Sequence, residues 1–569
     1  MAVWVRVGVA SSGGGNRLSG DTNGTIRRGE MSVVVGQRLG AVEAELEDRW
    51  VVADGMRGEV EDVVELMHRI QARLAVKEAA RTSVLSKSWL HAWSTIPTLR
   101  FYVGRGKSMK LVDVDHTLIR YLRDNIPIES FELKMDMRNQ ESASHAEKWI
   151  GFVATKTSLK EFSLSVYLNG ASSFTLPDEL LLGENLTKIR VGASWGTDIS
   201  VRMTTSRHPV IKCGSLRELH LAGVHISEEA LNDILSSCSS LEKIKLSNID
   251  FDFKTIKVIN LPRLYELSIT LDAALEISNV PNLAVFSYDL LRSGQLPFNA
   301  NLHSMSLSNV TQLMLGGVVR DNVCLDMIKS RFPFLESLTL DMKSWMLGSF
   351  HFTCASIKIL SLTSHKKLFD VQVCAPKLLL FSFSGDSILP NLLFPVSSLR
   401  QIKLSLSLDL PLDASFFLKL REALMLSRKC DLCISITNNS NSMPLDTDID
   451  ELRRRLLFPP AMNVQELEFE TDEDECLWER SPFFDAFFEI CHPKHIYARP
   501  DRHYRHNNHF CRLMLREVLE KKKTTAIWPH RLQHVLIRPP PHKKWRTLTN
   551  SQRTLLQALT PVDFKLKWR

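Results

Sequence analysis

One short basic loop has the residue types of a phosphate-binding site. Gly104 to Ser108, written GRGKS, matches the closing residues of a nucleotide-binding loop, in which backbone amides and a lysine contact the phosphates. Such a loop requires a further glycine five residues before Gly106, where this chain has Phe101, and a strongly apolar strand ahead of it. The sequence therefore favours a basic surface loop over a nucleotide site.

One pair of cysteines has the spacing of half a zinc site. Cys430 and Cys433 form a single C-x-x-C motif within KCDLCISIT, an apolar and strand-like run. Structural zinc sites take four ligands, usually from two such pairs, and the sequence offers no matched second pair. We expect these two cysteines to be packing thiols.

A histidine-rich stretch near the C-terminus is a better metal candidate. His503, His506 and His509 recur at every third residue, close in sequence to Cys491 and His492. On a helix this spacing turns successive side chains around the axis, so the three rings do not converge on one ion. The pattern favours a solvated basic helix face, and the sequence predicts neither a metal nor any other cofactor.

Basic runs in the C-terminal part raise the alternative of nucleic-acid binding. They are Lys521 to Lys523 and the stretch RPPPHKKWR, in which Trp545 could stack on a base. The net charge is only +7 over 569 residues, and no nucleic-acid-binding motif accompanies the runs. Solvated surface is the better interpretation. Nothing in the linear sequence locates a catalytic triad or a carboxylate pair, so no catalytic residue is predicted.

Composition and the N-terminal region limit the class of protein. Hydrophobic residues make up 44% and charged residues 24%, as in ordinary globular chains, and no apolar run reaches the ~18 residues of a membrane helix. The ten cysteines lack a disulfide framework, which indicates the nucleus, the cytoplasm or both. The opening MAVWVRVGVA lacks the charged start of a secretory signal. Residues 1–55 are expected to be a disordered and dispensable leader.

Three short amphipathic helices are predicted within residues 56–101. The first has an apolar stripe at i, i+4, i+7 and i+11, formed by Val63, Met67, Ile70 and Leu74. AVKEAARTSVL predicts a second helix and SKSWLHAWSTI a third, with Ser86 as its N-cap and Trp89 and Trp93 on one side. Pro97 ends the third helix.

Beyond this module one pattern recurs twelve times. Each copy reads apolar-x-x-apolar-x-apolar, and copies follow one another at intervals of 19 to 31 residues, about 25 on average. The triplets are Ile128-Phe131-Leu133, Leu159-Phe162-Leu164, Leu186-Ile189-Val191, Leu216-Leu219-Leu221, Leu241-Ile244-Leu246, Leu264-Leu267-Ile269, Leu283-Phe286-Tyr288, Val310-Leu313-Leu315, Leu335-Leu338-Leu340, Ile357-Leu360-Leu362, Leu378-Phe381-Phe383 and Leu399-Ile402-Leu404. Leucine-rich repeats have this pattern and a length of ~20–29 residues.

The repeats predict an irregular solenoid in which each coil packs only against its neighbours. The fourth and sixth positions of each triplet point inward from a short strand, and the first packs the turn before it. Leu219, Ile244 and Leu267 then hold equivalent inward positions, whereas Leu231 falls on a variable outer segment where truncation is expected to cost less. The alternative, an ordinary α/β domain with leucine-rich strands, is disfavoured by twelve successive triplets.

The predicted fold class is α/β, with a small three-helix module, a solenoid of horseshoe type and an α+β region at the end. The boundaries are 56–101 for the module, 102–436 for the solenoid, 437–451 for a linker or surface loop and 452–569 for the C-terminal region. In that last region, Leu532, Val535 and Ile537 repeat the solenoid triplet. The region is either an end cap of the solenoid or a small separate domain.

The segment from Val63 to Phe101 resembles the F-box of plant F-box/leucine-rich-repeat proteins. The resemblance rests on HRIQARL, KEAARTSVLSKSW and AWSTIPTLRF, and it is most specific from Leu85 to Trp89. A repeat array after the F-box is the usual architecture of that family. WPHRLQHVLI, near the C-terminus, resembles the FBD-type region that often closes such chains.

The resemblance implies a function in protein ubiquitination. In that family the F-box docks on a Skp-family adaptor of a cullin–RING ubiquitin ligase, and the repeats hold a protein substrate. By this resemblance the adaptor-binding residues are Val64, Met67, Ile70, Leu74, Leu85 and Trp89, while Trp93 belongs to the core. Two positions depart from the family, since Asp62-Val63 replaces the usual Leu-Pro start and Ala75 replaces a common proline.

On this basis the chain is expected to be a non-catalytic substrate receptor of a Skp–cullin–F-box ubiquitin ligase, with an unidentified protein substrate and no membrane association. Such a subunit raises the effective concentration of a bound target near a ubiquitin-loaded partner. Two alternatives stay open. One is a leucine-rich-repeat scaffold whose F-box, lacking Leu-Pro, no longer docks. The other is a nucleic-acid-binding protein that uses its basic C-terminal tail.

Overall fold

The chain divides into two compact units between Ile96 and Pro97. The computed structural model describes residues 59–569 except 75, 105–108, 138–139, 169–173, 194–200, 205, 250–252, 272, 290–306, 318–321, 343–347, 366–367, 387–388, 397–398, 410–411, 438–448, 472–482, 499–507, 522–523, 525, 539–543 and 550–561. The predicted leader at 1–55 and most of the predicted loop at 437–451 therefore lie outside the described residues.

The described part of the first unit, residues 59–96 without 75, contains three short helices, at the places where the apolar stripes predict them. They are α1 (Glu59–Arg73), α2 (Val76–Thr82) and α3 (Lys87–Ser94). Ser86 is the N-cap of α3, and its hydroxyl accepts a hydrogen bond of 3.1 Å from the backbone N–H of Trp89. The unit ends at Ile96, not at residue 101 as predicted. Phe101 is buried in the second unit, because Thr98–Val103 pairs with the next strand of the sheet.

The second unit is built around one sheet of nineteen strands. The parallel strands, in sheet order, are β1 (Thr98–Val103), β2 (Ser130–Met137), β3 (Glu161–Leu168), β5 (Lys188–Ala193), β7 (Glu218–Ala222), β9 (Lys243–Ser247), β11 (Glu266–Thr270), β13 (Val285–Asp289), β14 (Gln312–Gly316), β15 (Ser337–Met342), β17 (Ile359–Ser364), β19 (Leu380–Asp386), β21 (Gln401–Asp409), β22 (Lys429–Thr437), β23 (Val464–Thr471) and β24 (His495–Ala498). The sheet closes with antiparallel β27 (Asp563–Trp568), β25 (Leu532–Arg538) and β26 (Arg546–Thr547).

The chain between successive sheet strands forms shorter outer elements. Three small parallel sheets consist of β4 (Phe174–Thr175), β6 (Val201–Arg202) and β8 (Val224–His225), of β10 (Thr255–Ile259) and β12 (Ala274–Ser278), and of β16 (Ser349–Thr353), β18 (Asp370–Cys374) and β20 (Asn391–Leu393). The helices are α4 (Leu111–Arg123), α5 (Gln140–Ala154), α6 (Glu228–Ser237), α7 (Asn322–Arg331), α8 (Ala414–Leu424), α9 (Ile449–Arg455), α10 (Phe483–Ile490) and α11 (Asn508–Leu519), with 3-10 helices at Asp178–Leu182 and Trp528–Arg531. One hydrophobic core runs between the sheet and these elements.

The strand register places the predicted triplets in line across the sheet. Their fourth positions are cross-strand partners in sequence order, each of them buried: Phe131, Phe162, Ile189, Leu219, Ile244, Leu267, Phe286, Leu313, Leu338, Leu360, Phe381 and Ile402. The sixth positions form a second buried line beside the first. Each side chain is therefore covered by the coils before and after it, as a leucine-rich-repeat domain requires.

Backbone hydrogen bonds reinforce this stacking at the start of each strand. The carbonyl of Lys160 accepts from the N–H groups of Thr187 and Lys188 at 2.8 and 3.1 Å. One coil later, the carbonyl of Thr187 accepts from Arg217 and Glu218 at 2.8 and 3.0 Å. Because each carbonyl takes two donors from the following coil, the register is held by the main chain as well as by the buried side chains.

The C-terminal region continues the same sheet and the same core. β22, β23 and β24 extend the parallel array, and β27 then pairs antiparallel with β24. Helix α10 packs four buried phenylalanines against this end: Phe483, Phe484, Phe487 and Phe488. Trp528 lies 4.9 Å from the ring of Phe488, between ring centroids. The predicted region at 452–569 is thus an end cap of the solenoid and not a separate domain.

An ion network ties the cap together around one buried carboxylate. Glu489 accepts hydrogen bonds from Arg453 at 2.6 Å and from Arg531 at 2.8 Å, and 9% of its surface is exposed. Burial alone raises the pKa of a carboxyl group, but the bonds from Arg531 and Arg453 outweigh it and hold the pKa of Glu489 below its ordinary value.

Leu231 lies on the outer segment of its repeat, as predicted, but the expectation that its truncation costs less does not fit its burial. It lies in α6 and is fully buried, with 0% of its surface exposed. Helix α6 lies against β10, and its apolar residues at i, i+1, i+4 and i+5 face the core: Ala230, Leu231, Ile234 and Leu235. The outer segment therefore contributes to the same core as the strands.

Truncating the inward leucines tests the stacked core. Leu219→Ala, Leu267→Ala and Leu231→Ala should each lower the free energy of unfolding by ~2–5 kcal/mol, because each removes a fully buried side chain. Hydrogen exchange should show the loss spreading to adjacent coils. Leu393→Ala, at a half-exposed position of β20, is the control and should stay within ~0.5 kcal/mol of wild type. Small and purely local effects at positions 219 and 267 would contradict the stacking.

Neutralising the buried carboxylate tests the cap. Glu489→Gln should lower the free energy of unfolding by about 1–3 kcal/mol, since two guanidinium groups lose a charged acceptor. The pKa of Glu489 is lowered in the folded state, so its contribution is present at neutral pH and is lost as the pH falls through that lowered pKa. The unfolding curves of the wild-type protein and the variant should differ at neutral pH and converge at acid pH. Glu336→Gln removes an exposed ion pair and should change little.

Candidate functional site

The helical unit has a small core of its own. Its buried members are Met67 in α1 and Trp89 and Ala92 in α3, with Val63, Val64 and Ile70 packed partly buried against them. These residues come from the apolar stripes of α1 and α3, so the amphipathic pattern determines which faces meet. The unit therefore presents the remaining sides of its helices to the surroundings.

A buried glutamine joins all three helices of this unit. Gln71 in α1 is 1% exposed, and its Nε2 donates to the Thr82 hydroxyl at 2.8 Å and to the Trp89 carbonyl at 3.3 Å. Thr82 in turn donates to the carbonyl of Ala79 at 2.6 Å. The two bonds satisfy the Nε2 group of Gln71 and fix how the helices pack, because a shifted arrangement would leave that donor unpaired. Gln71 carries no apolar signal in the sequence, and its role was not predicted.

Three large apolar side chains of the helical unit stand in the open between positions 84 and 90. Val84 is 83% exposed, Leu85 44% and Leu90 53%. Val84 and Leu85 form the turn between α2 and α3, and Leu90 lies in the first half of α3. Apolar groups exposed together on so small a unit are typical of a protein-binding surface.

The six predicted adaptor-binding residues divide between this core and the surface. Met67 and Trp89 are buried, Val64, Ile70 and Leu74 are half-buried, and Leu85 is exposed. Trp93 was predicted to be core, but it is half-buried and lies outside the core cluster, while Trp89 takes the interior position. Direct contact with a partner is therefore open to Leu85 and to the exposed parts of Val64, Ile70 and Leu74.

The position of the missing Leu-Pro lies inside a helix. Helix α1 begins at Glu59, three residues before Asp62, and Val63 packs against the core as a half-buried side chain. A proline is tolerated only in the first turn of a helix, so an uninterrupted α1 replaces the break that Leu-Pro makes. Ala75, the second departure, lies outside the described residues.

A second candidate surface is the open face of the sheet, meaning the face that carries the side chains between the inward positions. Two lines of residues run along its first half. The alternating row consists of Glu161, Lys188, Glu218, Lys243 and Glu266, which are cross-strand neighbours from β3 to β11. The basic row consists of Arg190, His220 and Lys245, which are neighbours on β5, β7 and β9.

Ion pairs connect the two rows. Glu218 accepts from Arg190 at 3.1 Å and from Lys188 at 3.2 Å. Glu266 binds Lys245 at 2.6 Å, and Lys243 lies 3.8 Å away. Burial would raise the pKa of Glu218, but its two cations outweigh this and lower it. Glu218 and Glu266 each pair with two cations, so each of these two groups of three side chains carries a net positive charge.

Beyond β9 the line of the basic row on the open face is uncharged as far as β19, and charge returns with Lys403 on β21. The line that contains the basic row continues in register as Ser268, Ser287, Met314, Thr339, Ser361 and Ser382. Met314 is about half exposed, and Ile359, two strands further along the face, adds a partly exposed aliphatic side chain. The face therefore changes from charged to hydroxyl-rich and apolar along the repeat array, a gradient suited to a polypeptide partner.

The other candidates from the sequence do not assemble into a chemical site. Residues 105–108 of the GRGKS loop, and His503 and His506, lie outside the described residues. Cys430 faces the interior and its burial raises the pKa of the thiol to about 12, while Cys433 is half-buried. Trp545 packs against other residues of this chain. Its ring centroid lies 5.7 Å from the ring centroid of His495 and 4.8 Å from Cζ of Arg538.

Two absences hold for the described part of the chain. Within it, no three histidine, cysteine or acidic side chains lie close enough together to hold a metal ion. None of its helices combines the length and the apolar character that crossing a bilayer requires.

Comparison with known proteins identifies the repeats. The family model described as At1g61320/AtMIF1, LRR domain, matches residues 122–351. The Arabidopsis thaliana putative F-box/LRR-repeat protein At3g18150 is 26% identical over 281 residues, which cover 49% of this chain and 55% of that protein.

The names of two further Arabidopsis thaliana relatives refer to an FBD region. F-box/FBD/LRR-repeat protein At3g52680 is 29% identical over 209 residues, covering 36% of this chain and 43% of that protein. Putative FBD-associated F-box protein At1g55030 is 27% identical over 221 residues, covering 37% of this chain and 49% of that protein. The chain spans about half the length of these curated relatives. It contains a leucine-rich-repeat domain, and its resemblance to plant F-box/leucine-rich-repeat proteins, including those with an FBD region, is supported by both the repeats and the relatives.

Proposed function

We propose that this chain is a substrate-receptor subunit of a Skp–cullin–F-box ubiquitin ligase, acting in the nucleus, the cytoplasm or both. The helical unit docks on a Skp-family adaptor, and the open face of the repeat sheet binds a protein substrate. The observation that carries the proposal is the pairing of a separately cored helical unit, with apolar side chains exposed, and a repeat domain in one chain.

The docking half of the proposal rests on Val84, Leu85 and Leu90. Exposed apolar groups of this size gain ~1.5–3 kcal/mol each when a partner buries them completely. Leu85 also lies in the stretch that matches the F-box most specifically. A docking surface centred on the turn between α2 and α3 does not depend on the Leu-Pro start, which this chain lacks.

The receptor half of the proposal assigns no bond chemistry to this chain. Holding a substrate on the open face, while the helical unit holds the adaptor, raises the effective concentration of the substrate near the ubiquitin-loaded partner. The relatives that are named F-box/LRR-repeat proteins support this division of labour.

One alternative is favoured by a specific observation. Asp62-Val63 stands where the family has Leu-Pro, and a chain whose F-box no longer docks would serve as an interaction scaffold. Adaptor binding separates the two functions. The nucleic-acid alternative loses support because Trp545 packs against His495 and Arg538.

Co-purification of the full chain with a Skp-family adaptor tests the docking half. Leu85→Asp should abolish co-purification, because it places a charge in a surface that becomes dry on binding. Its matched control is Leu122→Asp, an equally exposed helical leucine in the repeat unit, which should leave adaptor binding unchanged. A folded wild-type chain that fails to retain the adaptor would favour the scaffold.

Exchanging the two tryptophans for alanine tests which one holds the helical unit together. Trp89→Ala should cost ~3–5 kcal/mol, enough to unfold so small a unit, because Trp89 is the largest member of its core. Trp93→Ala should cost clearly less. Hydrogen exchange of α1 to α3 in the full chain measures both. Equal loss of protection in the two variants would show that Trp93 shares the core.

A further inference from the structure

The basic row places two cations, Arg190 and Lys245, on either side of a histidine. Arg190, His220 and Lys245 occupy the same register position on three adjacent strands, which are ~4.8 Å apart. Like charges directly opposite one another destabilise a sheet. The alternating row, two residues earlier on each strand, avoids this by changing sign at every step. The basic row does not, and it is bounded in register by Ser163 and Ser268, which carry no charge.

The crowding has a visible electrostatic effect on its central member. Partial burial lowers the pKa of His220, and the positive charges of Arg190 and Lys245 on either side lower it further. Glu218 and Glu266 reach Arg190 and Lys245 from the alternating row, but each of them also has a lysine of its own. An anion placed over His220 would therefore meet uncompensated positive charge from both sides.

Space for such an anion lies beside the row. Two residues further along each strand stand Gly192, Ala222 and Ser247, which are register partners and, among the described residues, place no long side chain over the sheet at these three positions. A Cβ added at Gly192 would come no nearer than 4.0 Å to any neighbouring atom, the carbonyl oxygen of Leu164. The result is a strip of backbone bordered by Arg190, His220 and Lys245.

We propose that the basic row is the part of the open face that recognises an acidic segment of the protein substrate, one rich in Asp and Glu and bound in extended form across β5, β7 and β9. The row spans ~10 Å, which about three residues of extended chain cover. This proposal rests on the receptor function proposed above and specifies its substrate class. Charge complementarity selects the occupant, and the uncharged stretch of the row's line from β11 to β19 receives the rest of the segment.

The test measures binding of a short fluorescein-labelled peptide of alternating Glu and Gly to the full chain by anisotropy. Arg190→Gln with Lys245→Gln should weaken binding about ten-fold, the effect expected for two solvent-exposed ion pairs. Folding should persist, because Glu218 keeps Lys188 and Glu266 keeps Lys243. The matched control, Lys212→Gln with Lys257→Gln, removes two exposed lysines elsewhere in the same coils and should stay within about two-fold.

A variant that binds more tightly gives a result that loss of folding cannot explain. His220→Lys gives the centre of the row a permanent charge, so it should tighten binding of the Glu peptide several-fold and leave a Gln-Gly peptide unbound. Equal weakening by the two double variants, or equal binding of both peptides, would overturn the proposal. So would a single-stranded oligonucleotide that binds more tightly than the peptide and depends on the same residues. Adaptor co-purification that persists in the double variant would confine such a failure to substrate recognition.

Discussion

Every feature of the repeat unit depends on one constraint, which is that no coil can bury its own apolar residues. Leu219 is covered only because Ile189 and Ile244 stand beside it in register. A slip of one residue in any strand would turn Arg190 or Lys245 inward and Ile189 or Ile244 outward. The shared carbonyls at the start of each strand oppose that slip from the main chain. The ladder of buried residues therefore also determines which side chains lie on the open face.

The same ladder explains how far the fold could be predicted from the sequence. Twelve triplets have apolar residues at all three positions, and each of them forms a strand. Strand β22 was recognised as a strand-like run but not counted as a repeat, because its triplet would begin at Ser427, a polar residue, although Cys430 and Leu432 are buried in register. β1 has an intact triplet, Ile96-Leu99-Phe101, but it was assigned to the helical module. β23 also has one, at Val464, but unusually long intervals separate it from its neighbours.

The candidate site was less predictable because both surfaces depend on information that a linear pattern lacks. Trp89 and Trp93 are four residues apart and share a helix face, so periodicity could not decide which one lies in the core. Gln71 is buried and hydrogen-bonded to Thr82 and to the Trp89 carbonyl, and a pattern of apolar residues does not reveal such bonds. Arg190 and Lys245 are distant in sequence. The signal that joins them is their common place directly after the fourth residue of a triplet, and it acquires meaning only once the strands are in register.

Alternation along each strand separates stability from recognition. Arg190 stands between Ile189 and Val191, which are both buried, so its side chain can be exchanged while the ladder on either side stays intact. The helical unit has packing of its own, because Met67, Trp89 and Ala92 form a cluster distinct from the core of the repeats. A change at Leu85 alters neither cluster, since Leu85 belongs to none. Under the proposed receptor function, substitutions on the open face alone would change the substrate, while the helical unit and the core of the repeats remain as they are.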